Sequence, residues 1–306
     1  MTTQQPGMRD QIAAQSVIEE LLRQQLTMPP RTRFARFWGI NPLAADSVAW
    51  YRGAQGEIEV GKILSRLPPE WRVFHALPIG KASADIDHLV VGPGGIFTIN
   101  TKHHRGKKIW IAERSFLVNG QKQPYLRNST FEATRVTKKL HGRMPQLPPA
   151  QAVIALVNPA SITIKKKPDG VSVLDATDLR RWLLRRPVQL DEVQLVELAA
   201  IIDAPASWSA PASPTSSDLM AQFALIDGEV KTARVRRVTW TLLSFATVAT
   251  LVVFVGVPLY EKFALGFSAP SSDPYLALDV AVGVAVPRTP VWKKTWTAPE
   301  TAKFTG

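Results

Sequence analysis

The chain has 306 residues, and 37 lysines and arginines against 25 aspartates and glutamates give it a net charge of +12 at pH 7, with a sequence pI near 10.1. That length supports one or two domains with real cores; the basic balance asks for an acidic partner, nucleic acid or an anionic membrane surface, and argues against acidic partner surfaces being repelled. Cysteine is absent, which excludes a disulfide framework and thiolate metal chemistry, and charges at Arg9, Asp10, Glu19, Glu20 and Arg23 read against a signal-peptide core in the first segment.

In chain order, residues 10–25 carry Ile12, Val17, Leu21 and Leu22 at helical spacing, and a proline-interrupted, basic and aromatic stretch follows to Trp50 without assignable chemistry. Residues 1–52 are therefore read as a helical and basic extension. Ala54 to Leu67 is predicted helical, with Val60, Ile63, Leu64 and Leu67 on one face and a stop at Pro68 and Pro69. A strand over Trp71–Leu77 precedes two nearly continuous apolar runs, Ile86–Val91 and Ile96–Ile99, joined by the turn-forming Gly92, Pro93, Gly94 and Gly95. Lys108–Ile111 and Ser115–Val118 form a predicted hairpin ending at Asn119 and Gly120.

Asn128 or Ser129 is expected to cap a helix running to about His141, with Phe131 on the core side and Arg135, Lys139 and Arg143 as a basic stripe away from it. Buried strands are predicted at Ala152–Val157 and Val171–Leu174, then a helix from Asp175 or Thr177 that carries Trp182, then a helix over Asp191–Ile202. The Pro, Ser and Ala content of residues 204–218 is that of a linker. The main domain is accordingly placed at 53–203, with linker and basic juxtamembrane segment at 204–237.

Val238 to Val257 holds no charge, and about 20 residues of helix reach ~30 Å, one hydrocarbon thickness. Lys231, Arg234, Arg236 and Arg237 precede it, whereas Lys262 beside Glu261 follows. The positive-inside bias predicts a single pass through the cell membrane, with the N-terminal domain cytoplasmic and residues 258–306, including Trp292 and Trp296, outside. Trp240 and Tyr260 fall at the expected interfaces.

Chemistry concentrates at the paired apolar runs. Asp87 lies in one of them; Asn100 and Lys102, at the end of the other, share a strand face while Thr101 points away and leaves its backbone carbonyl beside them. Burying such groups costs several kcal/mol unless they are paired or hold a metal. On the preceding helix Glu57 falls on the apolar, sheet-facing side, three residues before Val60 and seven before Leu64. An aspartate, a glutamate, a carbonyl and a lysine suit phosphodiester hydrolysis assisted by magnesium or manganese, a hard cation that takes oxygen ligands. The expected ligands are Asp87, Asn100, Thr101 and Glu57.

Three stretches, GAQGEIEVGKIL (Gly53–Leu64), ADIDHLVVGPGGIFTINTKHHRG (Ala84–Gly106) and YLRNSTFEATRV (Tyr125–Val136), together resemble the nuclease-related domain (NERD) family, similar in core to PD-(D/E)xK endonucleases. The resemblance covers about a third of the chain. It implies an α/β fold, a restriction-endonuclease-like mixed sheet flanked by helices in the order α-β-β-β-α-β, joined here to one C-terminal transmembrane helix. It also implies Glu57 as the helical acid, Asp87 as the metal-binding aspartate and Lys102 as the catalytic lysine. Where the family pattern has a glutamate two residues before the lysine, this chain has Asn100, a neutral ligand with one acceptor oxygen. Asp85, in phase with Asp87, is a substitute source of charge.

His88 and His103 flank these residues as auxiliary candidates for phosphate contact or proton relay. Basic residues follow the motif closely: Arg105, Lys107, Lys108, Arg127, Arg135, Lys139 and Arg143 are the expected nucleic-acid contacts, with Trp110, Phe116 and Tyr125 interleaved. Two readings stay open. One is a membrane-anchored, metal-dependent nuclease acting on DNA or RNA at the cytoplasmic face; the other is an inactive nuclease fold that binds nucleic acid or a lipid surface.

Overall fold

The computed structural model describes residues 7–79, 85–208 and 216–266. Ala84 at the head of the central motif, and Trp292 and Trp296 of the expected outer tail, lie outside them. The chain divides into two units, residues 1–245 and 246–306.

In the first unit, helices α1 (Gln15–Leu26), α2 (Arg33–Phe37) and α3 (Ser47–Leu64) lead into strands β1 (Arg72–Pro78), β2 (Asp85–Gly92) and β3 (Gly95–His103). Strands β4 (Lys108–Ala112), β5 (Ser115–Val118) and β6 (Gln121–Gln123) precede α4 (Tyr125–His141). Then come β7 (Gln151–Val157), β8 (Ser161–Ile164), β9 (Val171–Asp175), α5 (Leu179–Leu184), α6 (Glu192–Asp203) and the greater part of α7 (Ser216–Leu251), which runs past residue 245 into the second unit.

The main sheet has the order β1-β2-β3-β7-β9. Strands β1, β2 and β3 are antiparallel neighbours, β2 and β3 being joined by the tight Pro93–Gly94 turn, whereas the crossover through α4 returns β7 parallel to β3. Both faces are covered, which is why β2 and β3 read as continuous apolar runs rather than alternating ones. On one face Val136 and Leu140 of α4 and Leu198 of α6 meet Phe74, Leu89 and Ile96. On the other, Val60 and Leu64 of α3 and Leu179 of α5 meet Val90, Phe97 and Ile99. A second sheet, β6-β5-β4-β8, lies over Ala133 of α4 through Ile109, Ile111 and Phe116. The result is a mixed α/β fold with mixed sheets flanked by helices.

Several expectations shift. Helix α4 starts at Tyr125 behind Pro124 rather than at a cap on Asn128 or Ser129; Ser129 is buried inside it. Phe131 is 57% exposed instead of core-facing, because it stands one turn before Arg135 on the same side, and the core side carries Ser129, Ala133, Val136 and Leu140. Strand β8 escapes notice in the sequence because only Ile162 of its four residues is even half-buried.

Within residues 204–237, expected as linker and basic juxtamembrane segment, several side chains pack. Trp208 is buried, its Nε1 donating to the Ile202 carbonyl at 2.7 Å. Leu219 and Phe223 of α7 pack with Ile18, Leu21, Leu43, Tyr51 and Ala54, and Tyr51 donates its hydroxyl to Asp227 at 2.6 Å. The start of α7 thus completes a helical layer with α1 and α3, so the N-terminal extension is part of a packed body.

In the second unit α7 ends at Leu251, a π-helical turn spans Val252–Gly256, and α8 (Val257–Gly266) follows. Pro258, which has no N–H to return to the preceding turn, accounts for the widening. The helix over Ser217–Leu265 is long and apolar enough to cross a membrane, its most apolar window having a mean hydropathy of 2.3 and no buried residue. The expected segment 238–257 lies inside it.

Candidate active site at the strand fork

The β2–β3 ladder runs from Gly92–Gly95 to His88–Ile99, after which β2 stays with β1 and β3 stays with β7 as far as His103. The two strands fork there. Thr101 N–H, in place of a backbone acceptor, donates to Asp87 Oδ2 at 2.6 Å. One carboxylate therefore closes the fork and stands at its centre.

Asn100 and Lys102 lie on the face covered by α4. The Asn100 amide donates to both oxygens of Glu132, at 2.8 and 2.9 Å. Lys102 Nζ donates to the Thr101 carbonyl at 3.0 Å and sits 5.4 Å above the Tyr125 ring. Glu57 arrives from α3 and is buried. Its helix comes close because Gly56 has no side chain: a Cβ there would stand 2.9 Å from His103 Cβ and 3.3 Å from Thr101 Cγ2.

The carboxyl groups outnumber the nearby cation. Burial pushes Asp87 up to about 6, opposed by Lys102 and reinforced by Asp85. Burial likewise pushes Glu132 up to about 7, with Asn100 opposing and Asp87 adding. Glu57 is held well above the usual carboxylate range by burial and then by Asp87 and Asp85, and burial raises Asp85 too. The start of α1 moderates this excess, the Ser16 side chain drawing Asp85 down and the Ala14 backbone drawing Glu57 down. Glu57 Oε2 and Asn100 Oδ1 remain buried with no hydrogen-bond partner among the described residues.

Glu57, Asp87, Asn100, Thr101 and Lys102 thus gather as the sequence led us to expect, with Asp85 beside them. Glu132 was missed, although a signal existed: it stands four residues before Val136 and eight before Leu140, on the buried side of an otherwise basic helix. Ser16 and Ala14 carried no such signal.

The histidine expectations need correction. His88 is fully buried and meets His75 Nδ1 to Nδ1 at 2.8 Å; next along the strand from Asp87, it points to the opposite face. His103 Nδ1 meets the Arg52 carbonyl at 2.8 Å, on the α3 side. It is His104 that shares a neighbour with Lys102, stacking on Tyr125 at 5.7 Å between ring centroids.

The expected nucleic-acid contacts do not form one patch. Arg105 lines a cleft of about 420 Å³ with Gln55, Lys62, His103 and Lys231, whereas Lys139 and Arg143 border a cavity of about 210 Å³ at Trp208. Lys139 Nζ lies 5.1 Å over that indole. Arg127, Phe131, Arg135 and Lys139 follow one another at four-residue steps on exposed α4 surface, leaving an aromatic ring among the cations. Lys107 and Lys108 are exposed beyond β3. The two acids of this basic stretch are engaged, Glu113 by Lys166 at 2.8 Å and Glu132 by Asn100. Of the interleaved aromatics, Phe116 is buried and Trp110 is exposed.

Among the described residues, no three His, Asp or Glu side chains converge into a ready-made metal cage. The expected ligands include an amide and a backbone carbonyl, so carboxylates alone would not form one. Two unpartnered acceptor oxygens in a surplus of carboxyls, Glu57 buried and Asp85, Asp87 and Glu132 half-buried, fit a hard cation in charge and donor type.

A mixed sheet flanked by helices, with acids and a lysine at a fork between its central strands, is consistent with a nuclease-like fold. Residues 52–157 match the family model of the nuclease-related domain, NERD; the match takes in most of α3 and runs to the end of β7. No curated protein and no solved structure matches the chain.

Proposed function

We propose that the fork is the active site of a metal-dependent phosphodiesterase acting on DNA or RNA, held at a membrane by the C-terminal helix. The carrying observation is the imbalance of Glu57, Asp85, Asp87 and Glu132 around Lys102, with Glu57 Oε2 and Asn100 Oδ1 unpartnered among the described residues. Asp87, Glu57, Asn100 and the Thr101 carbonyl would hold Mg²⁺ or Mn²⁺. When bound, the cation supplies an activated water and neutralises charge developing on the phosphate.

The chain's own groups do the rest. Asn100 fixes Glu132 and keeps its own Oδ1 turned to the site, so the acid lacking on β3 is delivered from α4. Glu132, at about 7, is suited to take up or release a proton at its carboxylate near neutral pH. Lys102 is steadied by Tyr125 and the Thr101 carbonyl and offers its ammonium to a phosphate oxygen or to the attacking water. The exposed cations Lys107 and Lys108 beyond β3 and Arg127 and Arg135 on α4 hold the substrate backbone without reading its sequence, while Arg105 and the Lys139, Arg143 pair stand at separate clefts. The basic run before Val238 supports a cytoplasmic side for this domain at the cell membrane.

The test is nicking of supercoiled DNA and of an RNA by the full chain in detergent. Cleavage that needs Mg²⁺ or Mn²⁺ and disappears in Lys102→Met is expected; equal cleavage by both proteins overturns the reading. The neutral amide of Asn100, where the family pattern has an acid, favours a second reading, a nucleic-acid binder without turnover. It requires salt-sensitive binding by the wild type and cleavage appearing only in Asn100→Glu.

A further inference from the structure

Helix α2 is too short to persist by itself, and its C-terminal carbonyls are capped from one stretch of α7. Arg236 Nη1 donates to the Arg36 carbonyl at 2.7 Å, Arg237 Nε to the Gly39 carbonyl at 3.2 Å and Trp240 Nε1 to the Phe37 carbonyl at 2.9 Å. The approach depends on Gly39, at φ +69, where a Cβ would lie 2.5 Å from the Ala233 carbonyl oxygen and 2.7 Å from Arg237 N. Rings reinforce it: Trp240 stands 4.8 Å from both Phe37 and Trp38 between centroids.

This anchored segment nevertheless turns large apolar groups outward. Phe34 is 67% exposed, Phe37 52%, Trp38 42% and Ile40 51%, an apolar patch that water does not favour. Beside it a cavity of about 490 Å³ is lined by Arg33, Arg36 and Arg236 together with Phe37, Val235 and Trp240. Arg33 and Arg36 are exposed and make no ion pair among the described residues. Guanidiniums on one side and aromatic rings on the other match a lipid: phosphate at the cations, acyl chain at the rings. The patch lies against residues 233–240 of α7, where the sequence passes from the last arginines into its uncharged stretch, the headgroup level of a spanning helix.

We propose that the cleft between α2 and α7 binds the phosphate of an anionic phospholipid, while Phe34, Phe37 and Trp38 enter the upper acyl region. This rests on α7 crossing the membrane and is independent of any chemistry at the fork. The full chain, reconstituted in nanodiscs of phosphatidylcholine with one third phosphatidylglycerol, is released into the gas phase for native mass spectrometry. Phosphatidylglycerol is expected to be retained over phosphatidylcholine, and Arg33→Gln/Arg36→Gln, which leaves the Arg236 cap in place, lowers that preference roughly tenfold. Lys139→Gln/Arg143→Gln, on α4, leaves it unchanged.

Hydrogen exchange of residues 31–40 in the same discs gives a second reading, with slower exchange in phosphatidylglycerol for the wild type alone. Equal retention of both lipids by the wild type, or an unchanged preference in the Arg33/Arg36 variant, overturns the proposal. So does displacement of the lipid by millimolar inorganic phosphate, which would mark a simple anion site. Failure of the chain to stay with vesicles through alkaline extraction would instead overturn the spanning helix itself.

Discussion

Asp87 and His88 are neighbours on β2, the first half-buried and the second fully buried, and they face opposite sides of the sheet. His88 sits within the β2–β3 ladder and satisfies one ring nitrogen on His75, both imidazoles being held neutral by burial. Asp87 sits one residue beyond the ladder, among acids that exceed their partners. Burial of polar groups therefore does not mark a site. The mark is a set of like charges and unpartnered oxygens that the fold leaves without internal compensation.

The comparison breaks most severely on Lys102→Met or Asp87→Ala: each should lower metal-dependent nicking by about a hundredfold or more in a gel assay, with the circular dichroism spectrum kept. His88→Ala should instead cost about 2–4 kcal/mol of stability in urea melts while cleavage at 25 °C is retained. If His88→Ala abolished cleavage in a folded protein, the two faces would not be separate. Glu132→Gln should slow cleavage about tenfold and remove a limb of the pH–rate profile near neutrality.

The smallest effect sharpens the contrast through pH. Asp87 and Glu132 bind a proton more tightly folded than unfolded, so their contribution is full below about 4 and is lost as pH rises through about 6 and about 7. His75, pushed down to about 4 by burial, works in the opposite sense: its contribution is full above about 6.5 and fades as pH falls. Thermal melting in chelator should give a shallow dome for the wild type. Asp87→Asn should flatten the alkaline side and raise the melting temperature by a few degrees at pH 8, and the double change His75→Leu/His88→Leu should leave a curve that falls with pH.

Much of this was readable from residue order. Apolar runs bounded by Gly92–Gly95 mark β2 and β3, and Glu57 declares itself by standing on the apolar side of its helix. Glu132 follows the same rule, but its setting among arginines and lysines makes it look like one more solvated charge. Phe131 reads as a core residue by its hydrophobicity, yet its one-turn spacing from Arg135 carries it to the exposed side. The roles of Ser16 and Ala14, and the seating of α2 on α7, depend on contacts between segments far apart in the chain, which no local period encodes.

The bond from Asn100 to Glu132 bears on how such chains are compared. If the acid can be carried by either a strand or the helix packed over it, positions 100 and 132 can drift as a pair, the charge at the fork being conserved while the motif along β3 is not. A survey that scores the strand alone would retire such a chain as inert. The unit on which selection would act is the contact between two elements.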